Sequence, residues 1–173
     1  MSPLTADDVV DIIDRLAGID VWVDGGWGVD ALVGEQTREH DDLDLVVSWD
    51  DLERVRTVLS EFDYRVDPPE LPAFYVLVDP TGRRVDLHLV VFDEDGNGWQ
   101  QLRKDDAWGL YPAQGLRGEG IIGGRRVRCL TPELQLKHHL GYEWDENDRH
   151  DLALLSARFG IPLPPGAGSV LAS

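Results

Sequence analysis

Residues 19–47 constrain the fold more tightly than any other stretch, because they compress two strands and a helix into one short segment. Ile19 to Val23 is an apolar run of strand length, broken by Asp24-Gly25-Gly26. Trp27 to Val33 then reads as a short helix ended by Gly34. After the polar loop Glu35 to Asp41, Leu43 to Val47 reads as a second strand, headed by Asp42-Leu43-Asp44. Side chains alternate between the two faces of a strand. Asp42 and Asp44 therefore share one face, while Leu43, Leu45 and Val47 point the other way into a core. Asp41 is out of phase with the pair.

The remaining elements are set by their caps and turns. Thr5 to Ala17 predicts a helix: Thr5 caps it, Asp8 stands at the capping-box distance, and Gly18 stops it. Val9, Ile12, Ile13 and Leu16 supply its apolar face. Asp50 to Phe62 predicts a second long helix, and Pro68-Pro69 and Pro72 mark a loop. Phe74 to Val78 and Arg84 to Phe92 are strands joined by the turn Asp79-Pro80-Thr81-Gly82. Gly120 to Leu130 is a hairpin turning at Gly123-Gly124. Thr131-Pro132 opens a helix running to Tyr142, with Thr at the cap and Pro in the first position. A last helix spans Glu146 to Phe159, closed by Gly160, and the tail from Pro164 is expected to be loose. The order implies an α+β (α/β) fold, a mixed β-sheet flanked by helices with a small helical C-terminal part. Residues 1–115 read as the core, and 116–173 as a hairpin plus C-terminal helices of the same compact unit.

Charge and cysteine content narrow the function classes. Sixteen basic against 33 acidic residues give a net charge of −17. Such a field repels phosphate backbones, arguing against nucleic acid as a partner, and attracts cations, including metal ions and polyamine-like small molecules. The simpler reading is that the acidity serves solubility. No apolar run approaches the length that spans a bilayer. Residues 1–20 carry Asp7, Asp8, Asp11 and Asp14, unlike a signal peptide. Cys129 is the only cysteine, excluding an internal disulfide and a Cys-based zinc site. The chain reads as cytoplasmic, and monomer and homodimer both remain open.

The chemistry-bearing residues lie on the strands. Arg84 to Phe92 places Asp86, His88 and Val90 on one face and Val85, Leu87 and Leu89 on the other. If that strand neighbours Leu43 to Val47, three carboxylates converge. Clustered carboxylates repel unless cations neutralise them, and hard oxygen donors suit Mg2+, which is bound by one or two carboxylates together with substrate phosphates. Asp-Leu-Asp alone reads as a solvated strand end, and Gly-Gly alone as an ordinary turn. In combination, glycines admit close approach of a phosphate and the following helix start offers free N–H groups.

That combination resembles the nucleotidyltransferase superfamily. Val21 to Leu32 (VWVDGGWGVDAL) and Gln36 to Asp44 (QTREHDDLD) are similar to the small antibiotic nucleotidyltransferases, the lincosamide enzymes and the aminoglycoside 2''-adenylyltransferases. Gly141-Tyr142-Glu143 and Asp148-Arg149-His150-Asp151 also look like that group, so the likeness covers about residues 19–160. The resemblance implies a nucleotidyltransferase fold and transfer of a nucleoside monophosphate, AMP from ATP, to a hydroxyl of a small molecule. It implies that Asp42 and Asp44 hold Mg2+, two ions in all, and that Asp86 completes the metal site and acts as general base. Gly25 and Gly26 would cradle the triphosphate, with Arg38, His40 and Lys137 as further phosphate contacts. Arg38 and His40 read equally as loop residues, Lys137 as a surface lysine, and Asp30 and Glu35 as local partners of Arg38. A nucleotidyltransferase-fold module that binds without transferring, such as an antitoxin or pathway accessory, is an alternative, as is a metabolite or protein acceptor.

Other signals point to structure. Asp93 to Gly98 begins like a calcium loop, but its twelfth position is Lys104 instead of a bidentate Glu. His138, His139 and His150 lack the pattern of a metal site and read as structural or surface polar residues. Trp27 lies beside the glycine turn. Trp99, Trp108 and Tyr111 fall in a loop-rich region from which an acceptor pocket would draw one or two rings.

Overall fold

The computed structural model describes residues 3–68, 74–102, 107–140 and 142–163. Of the sequence features above, Pro69, Pro72, Lys104, Gly141 and the tail from Pro164 lie outside the described residues. Helix α1 (Ala6–Arg15) opens on the expected capping box, in which Asp8 N donates to Thr5 Oγ1 at 3.2 Å and Thr5 N to Asp8 Oδ2 at 2.9 Å. Strand β1 (Val21–Val23) leads into helix α2 (Gly25–Val33), and strand β2 (Asp42–Ser48) follows. The helix begins at Gly25, two residues before the expected start. Asp24 serves as its N-cap, accepting from Gly25 N at 2.7 Å.

Trp49–Asp51 forms a 3-10 turn, so the next helix, α3 (Leu52–Ser60), is shorter than expected. Strand β3 (Arg65–Asp67) was not evident in the sequence, because all three of its residues are exposed and show no alternation. Strands β4 (Phe74–Val78) and β5 (Arg84–Phe92) stand where expected. The loop-rich region instead holds β6 (Gly98–Gln101) and β7 (Trp108–Tyr111), which pair antiparallel. Between β5 and β6, Asp93 accepts from the backbone of Asp95 and Asn97 and from Trp99 Nε1 at 2.8 Å, which makes the calcium-loop look-alike a tight turn. Strands β8 (Gly118–Ile122) and β9 (Arg125–Cys129) form the expected hairpin. Helix α4 (Pro132–His138) ends before Tyr142, where the Trp144 indole caps the His139 carbonyl at 2.5 Å. Helix α5 (Glu146–Phe159) closes on Gly160 in the left-handed region, with φ of +66°.

Among the described residues the strands form one mixed sheet in the order β3-β4-β5-β2-β1-β9-β8, with β6 and β7 extending from the far end of β5. β2 runs parallel to β5 and antiparallel to β1. The larger core cluster gathers α1, α3 and the apolar faces of β2 and β5, including Leu43, Leu45, Leu87 and Leu89. A smaller cluster of Val46, Val90, Tyr111, Leu116, Leu130 and Leu134 covers the opposite face of the same strands. No described helix is long and apolar enough to cross a membrane.

Candidate active site

The parallel register of β2 and β5 sets Asp44 opposite Asp86 and Asp42 opposite Arg84. The alternating burial of both strands puts Asp42, Asp44, Asp86 and His88 on one face, with fully buried leucines and valines behind them. Further along that face, Val46 and Val90 are buried in the smaller cluster. The acidic end is thus open where the apolar end is closed.

Each facing carboxylate has its own environment. Asp44 Oδ1 lies 3.0 Å from His88 Nε2. Asp86 lies 3.2 Å from the Arg84 guanidinium. Burial, then the charges of Asp44 and Asp86, push Asp42 up to about 6. Burial and the charge of Asp44 also raise Asp86, against the pull of Arg84. Burial alone would lower His88, but its hydrogen bond to Asp44 and the charges of Asp44, Asp24 and Asp86 outweigh it, and the imidazole is pushed up to about 9. Among the described residues no three His, Cys, Asp or Glu side chains close around a single point as a ready metal cage. The donor set still fits Mg2+: it is all-oxygen, shares one face, and the charge of Asp44 raises both Asp42 and Asp86. Asp42, Asp44 and Asp86 are the residues that would hold such an ion.

Gly25 opens α2 directly against this face. Its φ is +58°, and a Cβ there would fall inside the Asp44 carboxylate. The start of the helix, with the positive end of its dipole, therefore lies beside the carboxylates, a place suited to an anionic group. Gly26 faces the other way, where a Cβ would strike Arg38 and His40.

Arg38 and His40 lie behind this turn. The Arg38 guanidinium makes a forked pair with Asp151 on α5, at 3.0 Å from Nε and 2.7 Å from Nη2. It does not pair with Asp30 or Glu35. His40 is buried, with Nε2 2.5 Å from Asp30 Oδ2 and its ring packed on Trp27 at 4.6 Å between centroids. Lys137, in the last turn of α4, lies in front and lines a cavity of about 420 Å³ with Gly25, Asp44, His88, Tyr111 and Tyr142.

His88 carried no role in the sequence, His138 read as structural or surface, and of the three candidate pocket rings Tyr111 alone lines this cavity. His88 shares the Asp86 face by alternation, but a single strand histidine gives no further signal. Tyr111 is buried, with its hydroxyl 3.1 Å from Gln100 Oε1 and 3.2 Å from His88 Nδ1. Burial, with the charges of Asp24 and Asp44, holds this phenol well above its ordinary pKa, so it stays protonated. His138 stands edge-on to the Tyr111 ring, 3.8 Å from the buried Asp24 carboxylate. Trp99 and Trp108 lie outside the cavity, on an exposed apolar patch with Val91 and Phe92.

Comparison with known proteins places the chain in a family. The family described as aminoglycoside-2''-adenylyltransferase matches residues 7–155. A lincosamide resistance protein of Staphylococcus haemolyticus is 29% identical over 150 residues, covering 86% of this chain and 91% of the relative. A 2''-aminoglycoside nucleotidyltransferase of Escherichia coli is 30% identical over 125 residues, 65% of this chain, and the match spans only 59% of that relative. The crystal structure of the lincosamide antibiotic adenylyltransferase LnuA, lincomycin-bound, superposes with a TM-score of 0.79 at 26% identity, covering 90% of this chain and 99% of that one.

Proposed function

The chain belongs to the aminoglycoside-2''-adenylyltransferase family, and from that premise we propose that it moves AMP from ATP onto a hydroxyl of an aminoglycoside or lincosamide antibiotic, with Mg2+. Nucleotidyl transfer is its enzyme class. The observation that supports the finer reading is the placement of Asp44 opposite Asp86 with Gly25 pressed against Asp44.

In this reading the acceptor oxygen attacks the α-phosphorus, the bond to the β-phosphate breaks, and pyrophosphate leaves. Asp86 takes the proton of the attacking hydroxyl; burial and the charge of Asp44 make its carboxylate a stronger base than a solvated one. Gly25 and the start of α2 approach the triphosphate, and Lys137 contributes positive charge from the opposite wall. Arg38 and His40 serve the nucleotide side by bracing the backbone of Gly26. Asp42, Asp44 and Asp86 would hold Mg2+, which when bound would supply charge neutralisation for the phosphates.

The test is a panel of aminoglycosides and lincosamides incubated with ATP and millimolar Mg2+. The expected result is an acceptor mass gain of one adenylate with equimolar pyrophosphate, abolished by Asp86→Asn. Absence of nucleotide binding at millimolar Mg2+ would overturn the proposal. Nucleotide uptake without pyrophosphate release on any acceptor would leave a binding module in its place.

A further inference from the structure

Five groups in the cavity wall close a ring. Asp24 Oδ1 accepts from Gly25 N at 2.7 Å, and Gly25 lies against the Asp44 carboxylate. Asp44 Oδ1 meets His88 Nε2 at 3.0 Å, and His88 Nδ1 meets the Tyr111 hydroxyl at 3.2 Å. That hydroxyl returns to Asp24 Oδ2 at 3.5 Å, with Gln100 Oε1 closer at 3.1 Å. The ring joins the start of α2, the acidic ends of β2 and β5, and the β6–β7 extension.

Within it, Asp44 has one side chain to hold its carboxylate. Its neighbours Asp42 and Asp86 repel it, and among the described residues His88 is the only side chain hydrogen-bonded to it. An imidazole can aim Nε2 at Asp44 only if its ring rotation is fixed from the other side. The partner at Nδ1 sets which ring rotation is kept. Here that partner is the Tyr111 phenol, buried at 3% exposure and itself wedged edge-on against His138.

We propose that His88 is a positioning residue that orients the Asp44 carboxylate for its cation, and that Tyr111 is the buttress that holds the His88 ring. The inference rests on the reading of Asp44 as a Mg2+ ligand. Neither residue need touch the reacting atoms. Each acts through the next, as outer-shell partners of metal ligands do.

The experiment uses the full chain with ATP and no acceptor, reading Mn2+ affinity by electron paramagnetic resonance, with acceptor KM and thermal midpoint measured alongside. His88→Leu should weaken Mn2+ by about 10–100-fold, the range seen when an outer-shell partner is removed. His88→Gln, whose amide nitrogen can replace Nε2 as donor, should recover most of that loss. Tyr111→Phe should weaken Mn2+ in the same direction by a smaller factor and add nothing in the His88→Leu background. The proposal is overturned if His88→Leu leaves Mn2+ affinity unchanged and raises only acceptor KM, because His88 would then contact the acceptor. It is also overturned if His88→Gln loses as much as His88→Leu, or if the Tyr111 effect is additive. Absence of Mn2+ binding by the unsubstituted chain with ATP would instead remove the reading of Asp44 on which the proposal stands.

Discussion

Gly25 and Gly34 bracket the same helix, and both have positive φ, +58° and +90°. Their surroundings differ. A Cβ at Gly25 would displace the Asp44 carboxylate, whereas one at Gly34 would meet nothing within 4 Å. An alanine forced into the left-handed region costs about 1–2 kcal/mol at either position. Both Gly25→Ala and Gly34→Ala should therefore lower the thermal midpoint by several degrees, at roughly 2–4 °C per kcal/mol for a domain of this size. Only Gly25→Ala should also lose transfer, by about 100-fold, since misplacing a group of the site by an ångström has that effect. Equal activity in the two variants, measured by pyrophosphate release, would detach the glycine turn from the site. The same residues show what a sequence reveals at this scale. Asp42, Asp44 and Asp86 were legible as one face because strand alternation is a local rule. The role proposed for His88 was not, because it turns on a contact with Tyr111 in a strand 23 residues away.

At the scale of elements, legibility follows local signals. α1 was legible from its capping box, α5 from Gly160 and the β8–β9 turn from Gly123-Gly124; the Asp145–Asp148 capping box of α5 was not read. β6 and β7 were not: Gly98-Trp99-Gln100-Gln101 mixes polar and aromatic residues, and its burial follows pairing with β5 and β7 that no local pattern announces. Nor does a strand–helix–strand segment announce that β1 and β2 run antiparallel. Long-range ties were equally hidden. Arg38 grips Asp151 across 113 residues, fastening the loop before β2 to α5. Asp151 is nearly inaccessible and Arg38 about one-fifth exposed, so the pair is largely desolvated. Asp151→Ala leaves the guanidinium without its partner and should destabilise the chain by about 2–4 kcal/mol in urea unfolding, and Arg38→Met in the same background should restore part of that. The β4–β5 turn offers a pH test. Burial would raise Asp79, but hydrogen bonds from Thr81 and Arg83 outweigh it and hold the carboxylate below its ordinary value. A depressed folded pKa adds stability above the unfolded value, about 3.9, and that stability is lost as pH falls through the folded value. Asp79→Asn should therefore be less stable than the parent at pH 7, with the gap narrowing as denaturation is measured from pH 4 downward. A gap that widens on acidification would reverse the assigned sign.

Across the whole molecule, the sheet has one thin seam. β1 and β9 share a single register pair, Val23 with Cys129, supported by Leu130 N donating to Val23 O at 3.1 Å. Helix α2 closes this seam from above: it packs on β1, β8 and β9, and Gly120 of β8 lies so close to Ala31 that a Cβ there would strike the Ala31 carbonyl. The two halves of the sheet therefore cannot part unless α2 lifts, and α2 carries Gly25 into the site. Stability of the seam and integrity of the site are one property. Cys129 reports on it, being the sole cysteine, fully buried, and part of the main core cluster with residues of α1, α3, β2 and β5. Burial, then the charge of Glu119, pushes its thiol up to about 12, so the folded chain offers a thiol reagent neither access nor thiolate. Labelling at pH 8 should be at least about a thousandfold slower in the folded chain than in denaturant, since it must await an opening. Because α2 locks the seam, that opening should be the global one. The logarithm of the labelling rate should then fall on the same guanidinium slope as equilibrium unfolding. A shallow or flat slope would mean that the β8–β9 hairpin detaches alone. In that case nucleotide with Mg2+, if bound at the start of α2 as proposed, should slow labelling only to the extent that it also holds α2 down.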